Sequence, residues 1–314
     1  MGMLVDGKWQ REDISGFVRD GKQVRFSAGF GDRISADGST TYAAESGRYV
    51  LYFNRTCPWS HRGVVTRELK GLDHVIAAVE LDPAMSMDGW WFGDTGDYRD
   101  PNLGATHLHQ FYSASDDSFT GRVSIPILWD KQTGRIVNND SGAIARMLNC
   151  EFDHLARHPE VNFFPEQLGA EIESLNTFVG NRVTDGVYRC LLAKNQRDYE
   201  TGFDQLFAAL DQLDQQLETS RYLLGERPTE PDWRLFACLV RFDCVYYPLY
   251  KCNKRRIADY PNLWPYCRDL YQLPGVAGTV DIEKIKYGYY RTVDQNGLIP
   301  KGPDLDFNTP HGRA

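Results

Sequence analysis

Tyr49-Val-Leu-Tyr-Phe53, continued by Asn54-Arg-Thr-Cys57-Pro-Trp-Ser60-His-Arg62, is the stretch from which the fold of this 314-residue chain is read. The aromatic and β-branched run is suited to a buried strand. The helical stretch Pro58 to Lys70 follows at once, with Pro58 preorganised for the first helical position. Cys57 therefore falls at the N-cap, directly between strand and helix. The free N–H groups and the helix dipole there favour an anion, so the thiolate is stabilised and its pKa is expected below the ~8.5 of a free thiol. A thiolate of this kind attacks sulfur and also leaves readily, as exchange chemistry requires. Arg55 and Arg62 are placed to add positive charge nearby. Ser60 stands where a dithiol redox protein carries its second cysteine, which favours a monothiol mechanism resolved by a second thiol from solution. The competing reading is a buried structural cysteine before a helix, and the proline after Cys57 argues against it.

Working outward, Val75 to Leu81 reads as a second strand. Asp82 to Arg122 is a long Gly-, Asp- and Trp-rich insertion without clear periodicity. Loops of that length are functional or disordered, and Trp90, Trp91, Phe92, Tyr98, Phe111 and Tyr112 argue against disorder. Ile125-Pro-Ile-Leu-Trp129 is a short strand, Asp130 to Gly134 a turn, and Arg135 to Val137 the returning arm of a hairpin. Asn139-Asp140-Ser141 supplies capping residues for a helix over Gly142 to Leu148. The order β-α-β, then β-β-α, is a thioredoxin-like plan. After about residue 160 the strand signals vanish. Phe203, Leu206, Phe207, Leu210, Leu213 and Leu217 follow helical spacing. Thr229-x-x-Asp232 is a capping box opening an apolar helix over Trp233 to Tyr247, and Leu263 to Tyr271 is another helix stopped by Pro274-Gly275. The expected fold is an α/β thioredoxin-like N-terminal domain plus an all-α C-terminal domain. Its divisions are an N-terminal extension over 1–46 wrapped on the surface, the thioredoxin-like domain over 47–155 with the 82–122 insertion, the all-α domain over 160–286, and a C-terminal tail over 287–314.

Hydrophobic residues make up 42% and charged residues 25% of the chain, and the formal net charge is −8. That balance suits a globular protein and argues against a general nucleic-acid surface, which needs a basic face. The short basic run Lys251 to Arg256 reads as a solvated helix end. Residues 1–11 lack the apolar core of a signal peptide, and no stretch approaches the ~20 apolar residues of a membrane span. A cytoplasmic protein without membrane or nucleic-acid partners is expected. The seven cysteines are Cys57, Cys150, Cys190, Cys238, Cys244, Cys252 and Cys267. They form no C-x-x-C pair and no Cys/His cluster with zinc spacing, so no metal is expected. All but Cys57 sit among apolar or aromatic neighbours and read as small core hydrophobes.

Two further elements bear on the site. Ile125-Pro126 opens a strand where a thioredoxin-like domain carries a cis-proline, whose preceding residue offers its backbone to a peptide-like ligand; the plainer alternative is a proline on an edge strand. Asp140-Ser141 could bind the amino and carboxylate ends of a γ-glutamyl group at a helix N-terminus, or could simply cap the helix.

These residues resemble the glutathionyl-hydroquinone reductases, also called Xi-class glutathione transferases. The matching stretches are Cys57-Pro-Trp-Ser-His-Arg62, Asp88-Gly-Trp90, Ile125-Pro-Ile-Leu-Trp-Asp-Lys131, Ile136-Val-Asn-Asn-Asp-Ser141 and Val187-Tyr-Arg-Cys190. They continue with Thr229-Glu-Pro-Asp-Trp-Arg-Leu-Phe236, Val240-Arg-Phe-Asp243, Lys251-Cys-Asn-Lys-Arg-Arg-Ile257 and Tyr260-Pro-Asn-Leu-Trp-Pro-Tyr266. The resemblance runs from about Arg48 to Ile299. It implies the glutathione transferase fold, a homodimer, and reduction of S-glutathionyl-hydroquinones. Cys57 attacks the glutathionyl sulfur, hydroquinone leaves, and a second glutathione (or another low-molecular-weight thiol) releases the disulfide. Carried over, Trp90, Ile125, Asp140 and Ser141 bind the thiol, while Tyr188 faces the aromatic hydroquinone conjugate and Tyr287 aligns with a family tyrosine. Tyr188 has a plainer alternative as a packing residue. Departures from the family are Asp140 in place of Glu, Asn54-Arg-Thr56 in place of small apolar residues, and Ile285-Lys-Tyr-Gly-Tyr-Tyr290 in place of His-Tyr-Tyr-Gly-Ser-His. The rival readings are an omega-like thiol transferase or dehydroascorbate reductase with the same nucleophile, and a non-catalytic protein that keeps the fold for binding.

Overall fold

The computed structural model describes residues 2–11, 18–19, 22–23, 29–93, 96–294 and 296–313; part of the expected N-terminal extension lies outside these. The chain divides into two compact units. The first is Arg25–Val161 with Met1–Gly16 and Tyr287–Gly297, and the second is Asn162–Lys286 with Phe17–Val24 and Leu298–Ala314.

In the first unit, strands β1 (Tyr49–Phe53), β2 (Ala77–Glu80), β3 (Ile127–Asp130) and β4 (Arg135–Asn138) form one sheet in the order β4-β3-β1-β2. β1 and β2 run parallel, with Val50 opposite Ala77, while β3 lies antiparallel to both β1 and β4. The unbroken apolar run of β1 is explained by cover on both faces. Tyr49, Leu51 and Phe53 point to one side, where they meet Leu128, Val137, Ile144, Met147 and Leu148. Val50 and Tyr52 point to the other, among Ile127, Trp129, Leu108 and Phe111. Helices α1 (Pro58–Leu69) and α3 (Ser141–Cys150) pack against each other. Helix α2 (His109–Ser115) lies within the 82–122 insertion and sends Phe111 and Tyr112 into the core, an element whose seven residues are too few to show a period. Arg48 anchors the start of β1 through a buried fork to Asp130, with Nε–Oδ1 at 2.9 Å and Nη2–Oδ2 at 2.7 Å. Gly134 turns the β3–β4 hairpin at φ +64°, a conformation that glycine adopts without strain.

The insertion owes its order to one carboxylate. Asp100 accepts hydrogen bonds from Tyr52 Oη (2.6 Å) and from the backbone N–H groups of Asn102, Leu103 and Ala105. The loop is thereby tied to β1 where periodicity cannot do it. The N-terminal residues also do more than wrap the surface. Met3–Val5 pairs with Lys8–Gln10 and with Gly121–Arg122, and Leu4 is fully buried.

The second unit is helical: α4 (Gly169–Phe178), α5 (Asp185–Leu192), α6 (Gln196–Gln216), α7 (Glu230–Arg241) and α8 (Leu263–Gln272). Helix α9 (Ile282–Val293) continues through residue 287, where the sequence placed the start of a tail. The single helix expected over Trp233 to Tyr247 is instead α7 followed by a π-helical turn, Phe242–Tyr246, and a second such turn, Val179–Thr184, precedes α5. The wider spacing of a π turn leaves no mark on the hydrophobic pattern of a buried segment.

Buried aspartates set the helix starts of this unit. Asp243 accepts from Ile257 N at 2.6 Å and Ala258 N at 2.9 Å, and Asp214 accepts from Leu263 N at 2.8 Å. Asp232, fully buried, accepts from Thr229 N (2.7 Å), Thr229 Oγ1 (2.9 Å), Leu223 N (2.9 Å) and Tyr266 Oη (2.8 Å). Burial pushes its pKa up, against the pull of these donors. Asp232→Ala strands all of them, so it should lower the unfolding free energy by about 2–4 kcal/mol. Asp232→Asn, which keeps one acceptor oxygen, should lose less. Urea denaturation of both variants measures the difference.

Candidate active site

The turn Asn54-Arg-Thr-Cys57 links β1 to α1 and closes with Cys57 N donating to Asn54 O at 3.1 Å. Cys57 caps α1 at φ −78°, ψ 116°, and Pro58 begins the helix. Its sulfur accepts from Ser60 N at 3.4 Å and lies 3.5 Å from the Ile125 carbonyl oxygen. Sulfur at the N-cap sits at the positive end of the helix dipole, the arrangement that stabilises a thiolate. Only 6% of Cys57 is exposed, so an attacking or entering group must approach along one direction. Each of the two nearby arginines has a partner. Arg55 is engaged with Glu80, at 3.0 Å, on the edge of the turn. Arg62, buried in α1, donates to Ser141 Oγ at the start of α3.

The expected thiol-binding residues gather in the same unit. Ile125 precedes a cis Pro126, and its carbonyl faces Cys57. Trp90 packs, half-buried, on the cluster that contains Cys57 and Ile125, and its carbonyl accepts from Leu108 N at 2.9 Å. Asp140 is the N-cap of α3, with Oδ1 accepting from Ala143 N at 2.7 Å, and it stays exposed. Ser141 receives the Arg62 guanidinium on its oxygen, which keeps the hydroxyl hydrogen available as a donor. Arg62 thus links α1 to the start of α3.

Tyr188 belongs to the second unit and Tyr287 to the first. Tyr188, on α5 of the helical unit, packs edge-on to Tyr250 at 5.4 Å between centroids and lies 6.2 Å from Tyr246. Tyr246 and Tyr250 themselves are 5.1 Å apart, so the helical unit carries a tyrosine cluster fed by the π-helical turn. Tyr287 is exposed, with the Arg291 guanidinium over its ring at 5.7 Å. Its neighbour Gly288 lies directly against the turn that carries Cys57. A Cβ there would overlap Thr56 Cγ2 and the Pro83 carbonyl, and Met85 N donates to Thr292 Oγ1 at 3.1 Å one turn on.

The other cysteines contrast with Cys57. Burial pushes the Cys238 and Cys244 thiols up to about 12, and Cys267 rises for the same reason. Cys190 is lowered by a hydrogen bond from Cys252, which is raised in turn, but it stands in the last turn of α5, where the dipole disfavours an anion. Cys150 departs from the expected core placement. It is exposed, because it ends α3 beyond the packed face. Among the described residues no group of His, Cys, Asp and Glu is arranged to hold a metal ion, and no helix is long and apolar enough to cross a membrane.

The chain matches known families and proteins over most of its length. Residues 56–150 match the glutathione S-transferase N-terminal domain and residues 196–269 the glutathione S-transferase C-terminal domain. The chain is 39% identical to a glutathionyl-hydroquinone reductase of Escherichia coli, over 100% of this chain and 98% of that protein. The glutathione-bound structure of that E. coli protein superposes with a TM-score of 0.90 at 38% identity, covering 99% of each chain. A glutathionyl-hydroquinone reductase of Sphingobium chlorophenolicum is also 39% identical, over 96% of each chain. A Xi-class transferase from Natrialba magadii superposes with a TM-score of 0.91 at 38% identity, covering 100% of this chain and 96% of that one.

The contact at Gly288 yields a test. Gly288→Ala forces the end of α9 away from Thr56 and Pro83, so it should cost about 1–3 kcal/mol of stability by overpacking. It should also change the rate of Cys57 alkylation, because Thr56 directly precedes Cys57. Thermal denaturation and an iodoacetamide time course check the two effects.

Proposed function

Because the chain belongs to the Xi-class glutathione transferases, we propose that it removes the glutathionyl group from S-glutathionyl-hydroquinones, with Cys57 as its nucleophile. The observation that carries this reading is the sulfur at the N-cap of α1, 3.4 Å from Ser60 N and beside the Ile125 carbonyl. The Cys57 thiolate attacks the glutathionyl sulfur, and the aryl C–S bond breaks with its electron pair going to the aromatic carbon. A proton delivered there releases hydroquinone. A second glutathione, as thiolate, attacks the Cys57–glutathione disulfide, forming glutathione disulfide and restoring Cys57. Two electrons pass from the pair of thiols to the aryl group, and the chemistry runs on sulfur and protons without a metal.

In this reading Trp90, the Ile125 backbone, Asp140 and Ser141 hold glutathione. The γ-glutamyl ammonium meets exposed Asp140, and the carboxylate meets the start of α3, where Arg62 orients the Ser141 hydroxyl. Asp140, one methylene shorter than the Glu of relatives, places the ammonium closer to the helix. Tyr188 belongs to the aromatic substrate, supported by its place in the tyrosine cluster, and Tyr287 is assigned to the same substrate. A homodimer in the cytoplasm, acting on small aromatic conjugates rather than nucleic acid or membrane, completes the reading. The names of the two 39% relatives support the hydroquinone reductase over the omega-like thiol transferase.

Cys57→Ser should abolish turnover of S-glutathionyl-hydroquinone while the fold survives, since an unactivated hydroxyl is a far weaker nucleophile than a thiolate. Chromatographic assay of released hydroquinone reads the loss, and near-native activity in that variant sinks the mechanism. Tyr188→Phe separates the substrate classes. Removing the phenolic donor should slow the aryl reaction roughly ten- to a thousandfold. It should scarcely affect exchange with a small mixed disulfide, which expels a thiolate needing no proton. Equal loss of both activities marks Tyr188 as a packing residue.

A further inference from the structure

Asn54 is fully buried at the root of the nucleophile turn, and its carboxamide is saturated. An amide offers two donors and two acceptor sites. Oδ1 accepts from Thr56 N at 2.8 Å and from Thr56 Oγ1 at 2.5 Å. Nδ2 donates to Asp82 O at 2.6 Å and to Leu81 O at 3.4 Å. The two halves of the side chain therefore serve different segments.

The acceptor half shapes the turn 54–57. Binding Thr56 N two residues on closes an Asx turn, which brings Cys57 N to 3.1 Å from Asn54 O and delivers Cys57 to the N-cap. The donor half holds the end of the second strand's segment, where the insertion departs. Asp82 N donates onward to Trp91 O at 3.1 Å, and Leu108 N donates to Trp90 O at 2.9 Å. One buried amide thus stands between the residue that performs the chemistry and the segment assigned to the thiol. A side chain without the NH2 group leaves two inward carbonyls without this donor, while one without the oxygen releases Thr56.

We propose that Asn54 is a positioning residue for this reaction, its carboxamide holding the Cys57 turn and the Trp90 segment in one register. The inference rests on the reading of Cys57 as nucleophile and Trp90 as part of the thiol site. It separates the two functions of the amide. Asn54→Asp is close to isosteric and keeps the acceptors for Thr56, but it turns a carboxylate oxygen toward the carbonyls of Leu81 and Asp82. Thr56→Val keeps the Asp82 link and removes one donor to Oδ1.

The experiment measures both variants and the unmodified enzyme at a temperature well below each Tm, with two readouts free of hydroquinone. These are glutathione affinity by calorimetry and the pH midpoint of Cys57 alkylation by iodoacetamide. Asn54→Asp should weaken glutathione binding by about tenfold or more, because a displaced binding segment loses its alignment. Thr56→Val should leave glutathione affinity within about twofold and raise the alkylation midpoint, as the sulfur moves off the helix end. Both readouts unchanged in Asn54→Asp, or changes that merely follow the fraction of folded protein, overturn the proposal. If Asn54→Asp does not fold, Thr56→Val decides alone, and an unchanged alkylation midpoint then overturns it. Failure of the parent reading looks different: Cys57→Ser retains turnover of the hydroquinone conjugate, whatever residue 54 does.

Discussion

No side chain of β1 is left to solvent: Tyr49, Val50, Leu51, Tyr52 and Phe53 are all buried, alternating between two apolar clusters. A strand covered on both faces has no slack in register, since a slip of one residue would send each side chain into a cavity shaped for another. The Arg48–Asp130 fork holds its beginning, and the Asn54 amide holds its end. Cys57 comes three residues later on a closed turn, so its position is inherited from the core rather than from a mobile loop. The remaining parts of the first unit are arranged around this strand, with β3 beside it carrying Ile125 into the site and the insertion laid over one face.

Placement also sorts the cysteines into roles. Cys238, Cys244 and Cys267 lie where burial penalises a thiolate more than the nearby arginine charges favour it, and their thiols are pushed up. Cys57 is almost as buried, at 6% exposure, but the helix directs N–H groups at its sulfur. Burial by itself therefore decides neither reactivity nor inertness. The decisive quantity is what the surrounding dipoles offer to the anion.

The helical unit solves a different problem. The starts of α7 and α8 and the turn at Ile257 are closed by the buried carboxylates of Asp232, Asp214 and Asp243, each accepting from backbone N–H groups. Two π-helical turns also occur in this unit. Such a turn inserts one residue into the helical winding and rotates the residues C-terminal to it. Tyr246 lies in one of these turns and Tyr250 just beyond it, and with Tyr188 they form an aromatic cluster.

By itself the sequence determined the strand Tyr49–Phe53, the capping position of Cys57, the Asp140 cap of α3, the Thr229–Asp232 box and the division between an α/β part and a helical part. Each of these is a local matter of periodicity, proline placement or capping chemistry within a few residues. It was silent on α2 inside the insertion, on the π-helical turns, and on the partners of buried polar groups. Those depend on residues far apart in the chain: Asp100 reaches back to Tyr52, Arg62 to Ser141, and Gly288 to Thr56 and Pro83. The pairing of Arg55 with Glu80 likewise joins residues 25 apart in the chain. Local rules state what a residue can do at its own position, whereas tertiary packing chooses which distant group satisfies it. The N-cap placement of Cys57 was therefore legible in one line of sequence, and the groups that hold it in place were not.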